Sequence, residues 1–298
     1  GEDVAWWITH NEPWVVAAIG HRTGRHAPGL HAITAELKTA HHLLLSHARA
    51  VEAYRSTALT APIGISLSLA PTYPERDTDA DRAAVDLSDA YVNRWYLDPV
   101  FRGDYPADLL VLFRERYGLD WVRDGDLPGI AQPIDFLGVN YYARRVVRAP
   151  EPGETAEFPW VDSTVRTPEI PRSAMDWEIT PDTFTDLLVR LDADYGAPPI
   201  LITENGCAIE DQVAVDGEVH DAGRIEFLRG HLAALEEAIG RGVDVRGYFA
   251  WSLMDNFEWG EGYQRRFGIT YVDYPTQRRI PKDSARWYAA VARRNGIG

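Results

Sequence analysis

Two glutamates in this sequence have the setting of paired catalytic carboxylates. Glu12 lies in Thr9-His10-Asn11-Glu12-Pro13-Trp14, directly after a β-prone run at residues 4–9 (VAWWIT). Proline fixes its own φ and has no N–H to give a sheet, so Pro13 is expected to stop the strand and leave Glu12 at its tip. Glu204 lies in Ile202-Thr203-Glu204-Asn205-Gly206, again at the end of an apolar run, with Asn205-Gly206 read as a tight turn. Either motif alone is equally well read as a turn with a solvated glutamate. Two carboxylates at the tips of one parallel sheet are different: they face one crevice and can do general acid–base or nucleophilic work.

A third stretch adds a possible ligand surface. Trp251-Ser252-Leu253-Met254-Asp255-Asn256-Phe257-Glu258-Trp259 places two indoles around several polar groups. Sugars present an apolar C–H face that stacks on such rings, and hydroxyls for the polar groups. A core tryptophan cluster is the plainer reading of either indole alone.

The elements that must position these residues follow from periodicity. Short apolar runs at residues 4–9, 63–69, 134–141, 200–203 and 245–251 read as strands. Amphipathic stretches at 34–55, 79–96, 181–195, 222–241 and 284–295 read as helices, Pro181 and Gly242 supplying a start and a stop. Residues 144–179 form the longest irregular stretch, rich in Pro and charge, in the manner of a functional rim loop. Strand–helix alternation implies parallel strands joined by right-handed crossovers. A five-stranded parallel sheet has two open edges. A doubly wound sheet could tolerate them, but the Gly-rich phosphate loop usual there is absent. The expected fold is therefore α/β, an incomplete (β/α)8 TIM barrel holding strands four to eight, in a single catalytic domain over residues 1–298.

Composition excludes several function classes. A net charge of −15 disfavours nucleic acid and anionic membrane surfaces as partners. No apolar run approaches the roughly 18 residues a spanning helix needs. The single Cys207 forbids an internal disulfide framework and suits a reducing, cytoplasmic setting. His21, His26, His31, His41, His42 and His47 lack metal-ligand spacing, so no metal is expected. Asp77, Asp79 and Asp81 begin like a calcium loop but lack its Gly and distant Glu, and read as a solvated helix start.

The ordered set THNEPW, FLGVNYY, ITENG and WSLMDNFEW resembles glycoside hydrolase family 1, the β-glucosidase family, across the whole chain from just before the family's fourth strand. The resemblance implies Glu12 as acid/base and Glu204 as nucleophile. It implies Asn11 at the sugar 2-hydroxyl, Tyr142 bonding the nucleophile, Asn140 beside them, Trp251 under the ring, and Glu258 with Trp259 at the outer hydroxyls. Trp14, His26, Trp177 and Phe267 fall where the family lines its pocket and entrance. A retaining pair sits roughly 5–5.5 Å apart, and the proton then belongs on Glu12, its pKa raised by burial and by the Glu204 charge. The implied substrate is a neutral small-molecule β-glucoside or oligosaccharide, with no cofactor. The segment bearing the family's first three strands is an implied partner. An inactive remnant, or a sugar-binding protein on the same frame, shares these residues.

Overall fold

Residues 63–68, Ile-Gly-Ile-Ser-Leu-Ser, are buried at five successive positions, as a strand covered on both faces requires. Phe-Leu-Gly-Val-Asn at 136–140 is buried throughout for the same reason. These two strands are the centre of a parallel sheet in the computed structural model, which describes residues 3–297. The chain divides into two compact units, one comprising Gly1–Asn140, Arg144–Arg166 and Asp194–Leu201, the other Tyr141–Ala143, Thr167–Ala193 and Ile202–Gly298.

In the first unit the strands are β1 (Trp7–Asn11), β2 (Ile63–Ser68), β3 (Thr72–Pro74), β4 (Phe136–Asn140), β5 (Arg145–Arg148), β6 (Val161–Asp162) and the start of β7 (Ile200–Asn205). Strands β1, β2, β4 and β7 are neighbours in that order. Pairing is parallel from β1 to β2 and from β2 to β4, with Ile63–Gly64 opposite Trp7–Ile8 and Gly64–Ser68 opposite Phe136–Asn140. A second, smaller sheet has the order β3-β5-β6. The helices are α1 (Ile33–Arg55), α2 (Asp79–Asp89), α3 (Trp95–Arg102), α4 (Ala107–Tyr117) and α5 (Asp126–Ile130). Helix α1 buries Leu37, Leu44, Ala48 and Val51, the helical stripe expected of it.

The second unit holds the end of β7, then β8 (Val245–Ala250) beside it, and the antiparallel hairpin β9 (Thr270–Asp273) and β10 (Arg278–Pro281). Its helices are α6 (Pro181–Tyr195, whose last two residues fall in the first unit), α7 (Ala222–Gly240) and α8 (Asp283–Arg294). Helix α6 buries Phe184, Leu187, Leu188 and Leu191, and α7 buries Phe227, Leu228, Leu235 and Ala238.

Several expectations need correcting. The strand expected at 4–9 begins at Trp7 and runs on to Asn11, because its pairing with β2 continues past Thr9. The helix expected at 79–96 is α2, then a π-helical turn at Ala90–Arg94, then α3, which tolerates Pro99 in its interior. Residues 144–179 are not wholly irregular: Arg145–Val147 pairs with β3 and Val147–Arg148 with β6. The Asp77–Asp81 run is the expected helix start, with the Thr78 hydroxyl accepting from the Asp81 N–H and Arg82 pairing Asp77 and Asp79. It is not wholly solvated, however: Asp81 is buried and paired with Arg76 at 2.8 Å. Helices α4 and α5 and the β9–β10 hairpin carry too little periodic signal to have been anticipated.

Candidate active site

Glu12 is carried by an irregular strand end. The register of β1 against β2 shifts between Ile8 and Asn11. Successive side chains of a regular strand point to opposite faces, but here Thr9 and His10 both reach helix α1. Thr9 Oγ1 lies 2.7 Å from His47 Nδ1 and donates to the Gly64 carbonyl at 3.2 Å. His10 Nε2 lies 3.0 Å from Ser46 Oγ. The extra residue re-aims Asn11 and Glu12. Asn11 comes opposite Ser66, and the Glu12 N–H donates to the Ser66 carbonyl at 2.9 Å. Glu12 itself has φ +50, a left-handed conformation that is strained for a side chain other than glycine and recurs at functional sites.

Asn140, buried at the end of β4, joins this group. Its Nδ2 donates to Asn11 Oδ1 and to Glu12 Oε1, each at 3.0 Å. Its Oδ1 accepts from the Ser66 hydroxyl at 2.9 Å, and the reverse amide orientation would set its oxygen against the oxygens of Asn11 and Glu12. Asn11, Glu12 and Asn140 are thus brought together. Trp14 caps the π-helix Val15–Arg22 that follows Pro13, with its indole N–H buried and unmatched by a protein acceptor. His26 lies in the turn after that helix; burial, then the Arg25 charge, lowers its pKa.

Glu204 sits at the tip of β7 on regular backbone, its carbonyl accepting from the Tyr141 N–H at 3.0 Å. The Tyr142 hydroxyl donates to Glu204 Oε2 at 2.6 Å, a short charge-assisted bond. The Tyr142 ring lies 5.4 Å from Trp177 and 6.1 Å from Phe267, and those two lie 6.1 Å apart, so the phenol is held by an aromatic triad. Glu258 follows β8, hydrogen-bonded to Trp251 and near enough to Glu204 to feel its charge. Its pKa is raised, chiefly by burial, with the Trp251 bond opposing and Glu204 adding. Trp259 opens a short 3-10 turn, Trp259–Glu261, and is exposed. The second unit therefore gathers Tyr142, Trp177, Glu204, Trp251, Glu258 and Phe267, with Trp259 at the margin.

Four positioning residues escaped the sequence reading: Ser66, His47, Asn205 and Tyr248. Asn205 is buried, donating to the Tyr141 carbonyl at 2.7 Å and accepting from the Tyr248 hydroxyl at 2.6 Å, so it ties the segments beside Glu204. For Ser66 the available signal was a polar residue flanked on both sides by apolar ones inside the strand IGISLS. The tight turn expected at Asn205-Gly206 is not formed: Asn205 is the last residue of β7 and Gly206 follows it without a turn. It does not occupy the left-handed region; instead a Cβ there would lie 1.8 Å from the Trp251 carbonyl oxygen, so glycine is what lets the ends of β7 and β8 meet.

Each unit thus carries a glutamate at a strand tip, gripped by a donor side chain, and carboxylates so held are the groups that a hydrolase of the glycosidase kind uses. The sequence profile of Glycosyl hydrolase family 1 matches residues 1–297, and the chain belongs to that family. It is 43% identical over its full length to Beta-glucosidase A of Thermotoga maritima, and spans 65% of that relative. It is 44% identical to the Bifunctional beta-D-glucosidase/beta-D-fucosidase of Bifidobacterium breve, covering 97% of this chain and 64% of that one. Among solved structures, the T. maritima family 1 β-glucosidase in complex with isofagomine lactam matches 99% of this chain and 65% of its own, with TM-score 0.93 and 42% identity. The GH1 β-glucosidase of Exiguobacterium antarcticum matches 98% of this chain and 64% of its own, with TM-score 0.91 and 44% identity. The chain thus spans about two thirds of the relatives it matches. Its parallel strands and helices are part of a (β/α)8 barrel, the fold of these neighbours.

Proposed function

We propose that the chain is the catalytic part of a retaining β-glycosidase that hydrolyses terminal β-D-glucosides by double displacement. Glu204 attacks the anomeric carbon while Glu12 gives its proton to the departing glycosidic oxygen, leaving a covalent glycosyl–enzyme and a free alcohol. Glu12, now a carboxylate, takes a proton from water; the hydroxide oxygen bonds to the anomeric carbon and Glu204 is released. The observation that carries this reading is the Tyr142 hydroxyl at 2.6 Å from Glu204 Oε2, a donor that keeps a nucleophile charged and aimed. No metal or organic cofactor takes part in this chemistry.

Trp251 stacks under the sugar, Asn11 meets its 2-hydroxyl, and Glu258 with Trp259 holds the outer hydroxyls. A carboxylate at 258 repels a 6-phosphate, so the substrate is neutral. A higher kcat/KM for a 6-phosphoglucoside than for the free glucoside would contradict that assignment. Leu253, Phe257 and Trp259 after β8 are 66%, 57% and 63% exposed, and an apolar rim of this kind favours a further polypeptide segment covering it during turnover.

The test is hydrolysis of an aryl β-glucoside with Glu204→Gln and Glu12→Gln as paired variants. Glu204→Gln should abolish turnover. Glu12→Gln should spare kcat/KM for substrates with good leaving groups, lower kcat because deglycosylation loses its base, and regain kcat with added azide, which needs no general base. Turnover unchanged in Glu204→Gln would end the proposal.

A further inference from the structure

Away from the carboxylates and rings just described, the second unit holds a network of three acids and three basic side chains, buried except for the half-buried Arg266. Lys282, wholly buried at the N-cap of α8, donates to Asp211 Oδ2 at 2.6 Å and to Asp255 Oδ1 at 2.9 Å. Arg266 donates to Asp255 Oδ2 at 2.5 Å. Arg224 bonds Asp211 through both terminal nitrogens, at 3.1 and 2.7 Å, and also Asp221 and the Arg266 carbonyl. Asp221 in turn accepts from the Ser284 N–H at 2.8 Å and its hydroxyl at 2.5 Å.

Buried charges of this kind are a poor source of stability, since desolvation offsets most of the attraction, and apolar replacements often serve as well. Their geometry is more informative. Asp255 precedes Glu258 by three residues, and Arg266 and Gly268 flank Phe267. Besides its two cations, Asp255 accepts the N–H groups of Gly268 at 3.0 Å and Val272 at 3.3 Å. Gly268 packs so closely that a Cβ on it would lie 2.1 Å from the Asp255 nitrogen. One carboxylate therefore holds the segment leading to Glu258 and Trp259 against the segment carrying Phe267, and Lys282 ties both to the start of α8.

We infer that Asp255 and Lys282 are positioning residues for sugar recognition: the pair sets residues 252–268 in the conformation from which Glu258, Trp259 and Phe267 receive the sugar. This rests on the reading of the chain as a glycosidase. The rigid clamp means that the sugar's binding energy is not spent on ordering the loop. Losing it should weaken sugar binding more than it slows the bond-breaking step.

The test compares the chain with Lys282→Met and with the charge-balanced double variant Asp255→Asn/Lys282→Met. Three quantities are measured: thermal unfolding, amide exchange, and kcat and KM for an aryl β-glucoside. Lys282→Met should raise KM about tenfold with kcat within about threefold, and should speed exchange across 252–272 while α6 and α7 stay protected. The double variant should regain thermal stability but keep the raised KM and the fast exchange. Wild-type KM and exchange in the double variant would reduce the network to charge balance and overturn the inference. So would unchanged exchange at 252–272 in both variants. Glu204→Gln, run beside them, separates the two ideas: full turnover there sinks the glycosidase reading, while the exchange results still decide the clamp.

Discussion

Glu12 and Glu204 end strands of the same kind and are held in opposite ways. Glu12 comes after a register shift, takes φ +50, and is gripped by an amide, the Asn140 Nδ2 at 3.0 Å. Glu204 continues a regular strand whose tip is tied by backbone bonds from Tyr141 and Trp251, and is gripped by a phenol at 2.6 Å. Both donors favour the charged form, but a neutral amide N–H at 3.0 Å is the weaker of the two and holds that form less firmly, so it suits a group that must lose and regain a proton. A hydroxyl donating to the carboxylate favours the anion, so it suits a group that must stay charged until it attacks. The contrast teaches that the role of a carboxylate is set by its donor as much as by its place on the strand.

The largest effect expected is confined to the Glu204 side. Gly206→Ala places a Cβ 1.8 Å from the Trp251 carbonyl oxygen, and backbone has to give way. A cost above about 4 kcal/mol is expected, seen as a large fall in Tm and loss of turnover. A Tm within a degree of the parent would mean that the strand ends are free to part.

A smaller effect separates the two donors. Tyr142→Phe removes one bond to a charged group and should lower kcat roughly 10- to 100-fold for every leaving group. Asn140→Ala strips Glu12 and Asn11 of donors and should cost a similar factor with poor leaving groups, but much less with a dinitrophenolate. Equal dependence on the leaving group in both variants would erase the distinction drawn between the two glutamates.

The smallest effect is a pH dependence of stability. Burial lowers the pKa of His47, which holds Thr9 beside Glu12, to about 4. Burial likewise lowers that of His231, bonded to the Phe227 carbonyl in the other unit, to about 4. Below pH 6.5 the unfolded chain binds protons that the folded chain refuses. The stability these groups contribute is therefore complete above pH 6.5 and is lost as pH falls toward 4, by of order 1 kcal/mol per group at pH 5.5. Denaturant titrations at pH 7.5 and 5.5 on His47→Gln and His231→Gln should each show a shallower acid loss than the parent. An unchanged loss in His47→Gln would show that Thr9 and the bulge do not depend on a neutral imidazole.

Much of this was legible in the linear chain because local chemistry speaks for itself. Apolar runs ended by Pro13 or Asn205-Gly206 mark strand tips, and alternation with amphipathic helices marks a parallel sheet. The helices α1, α6, α7 and α8 came within about two residues of their expected bounds, since each has a buried stripe of helical period. The short strands β3, β5 and β6 were invisible, because pairing with distant segments, not their own composition, makes them strands.

By itself the sequence determined which two carboxylates end strands and which aromatic residues accompany them, since residue type and turn chemistry are local properties. Only the tertiary structure decided what holds each carboxylate. Asn140 is 128 residues from Glu12, and Tyr142 is 62 from Glu204. Such bonds depend on which strands become neighbours and in what register, and a one-residue slip would turn every one of those side chains to the opposite face.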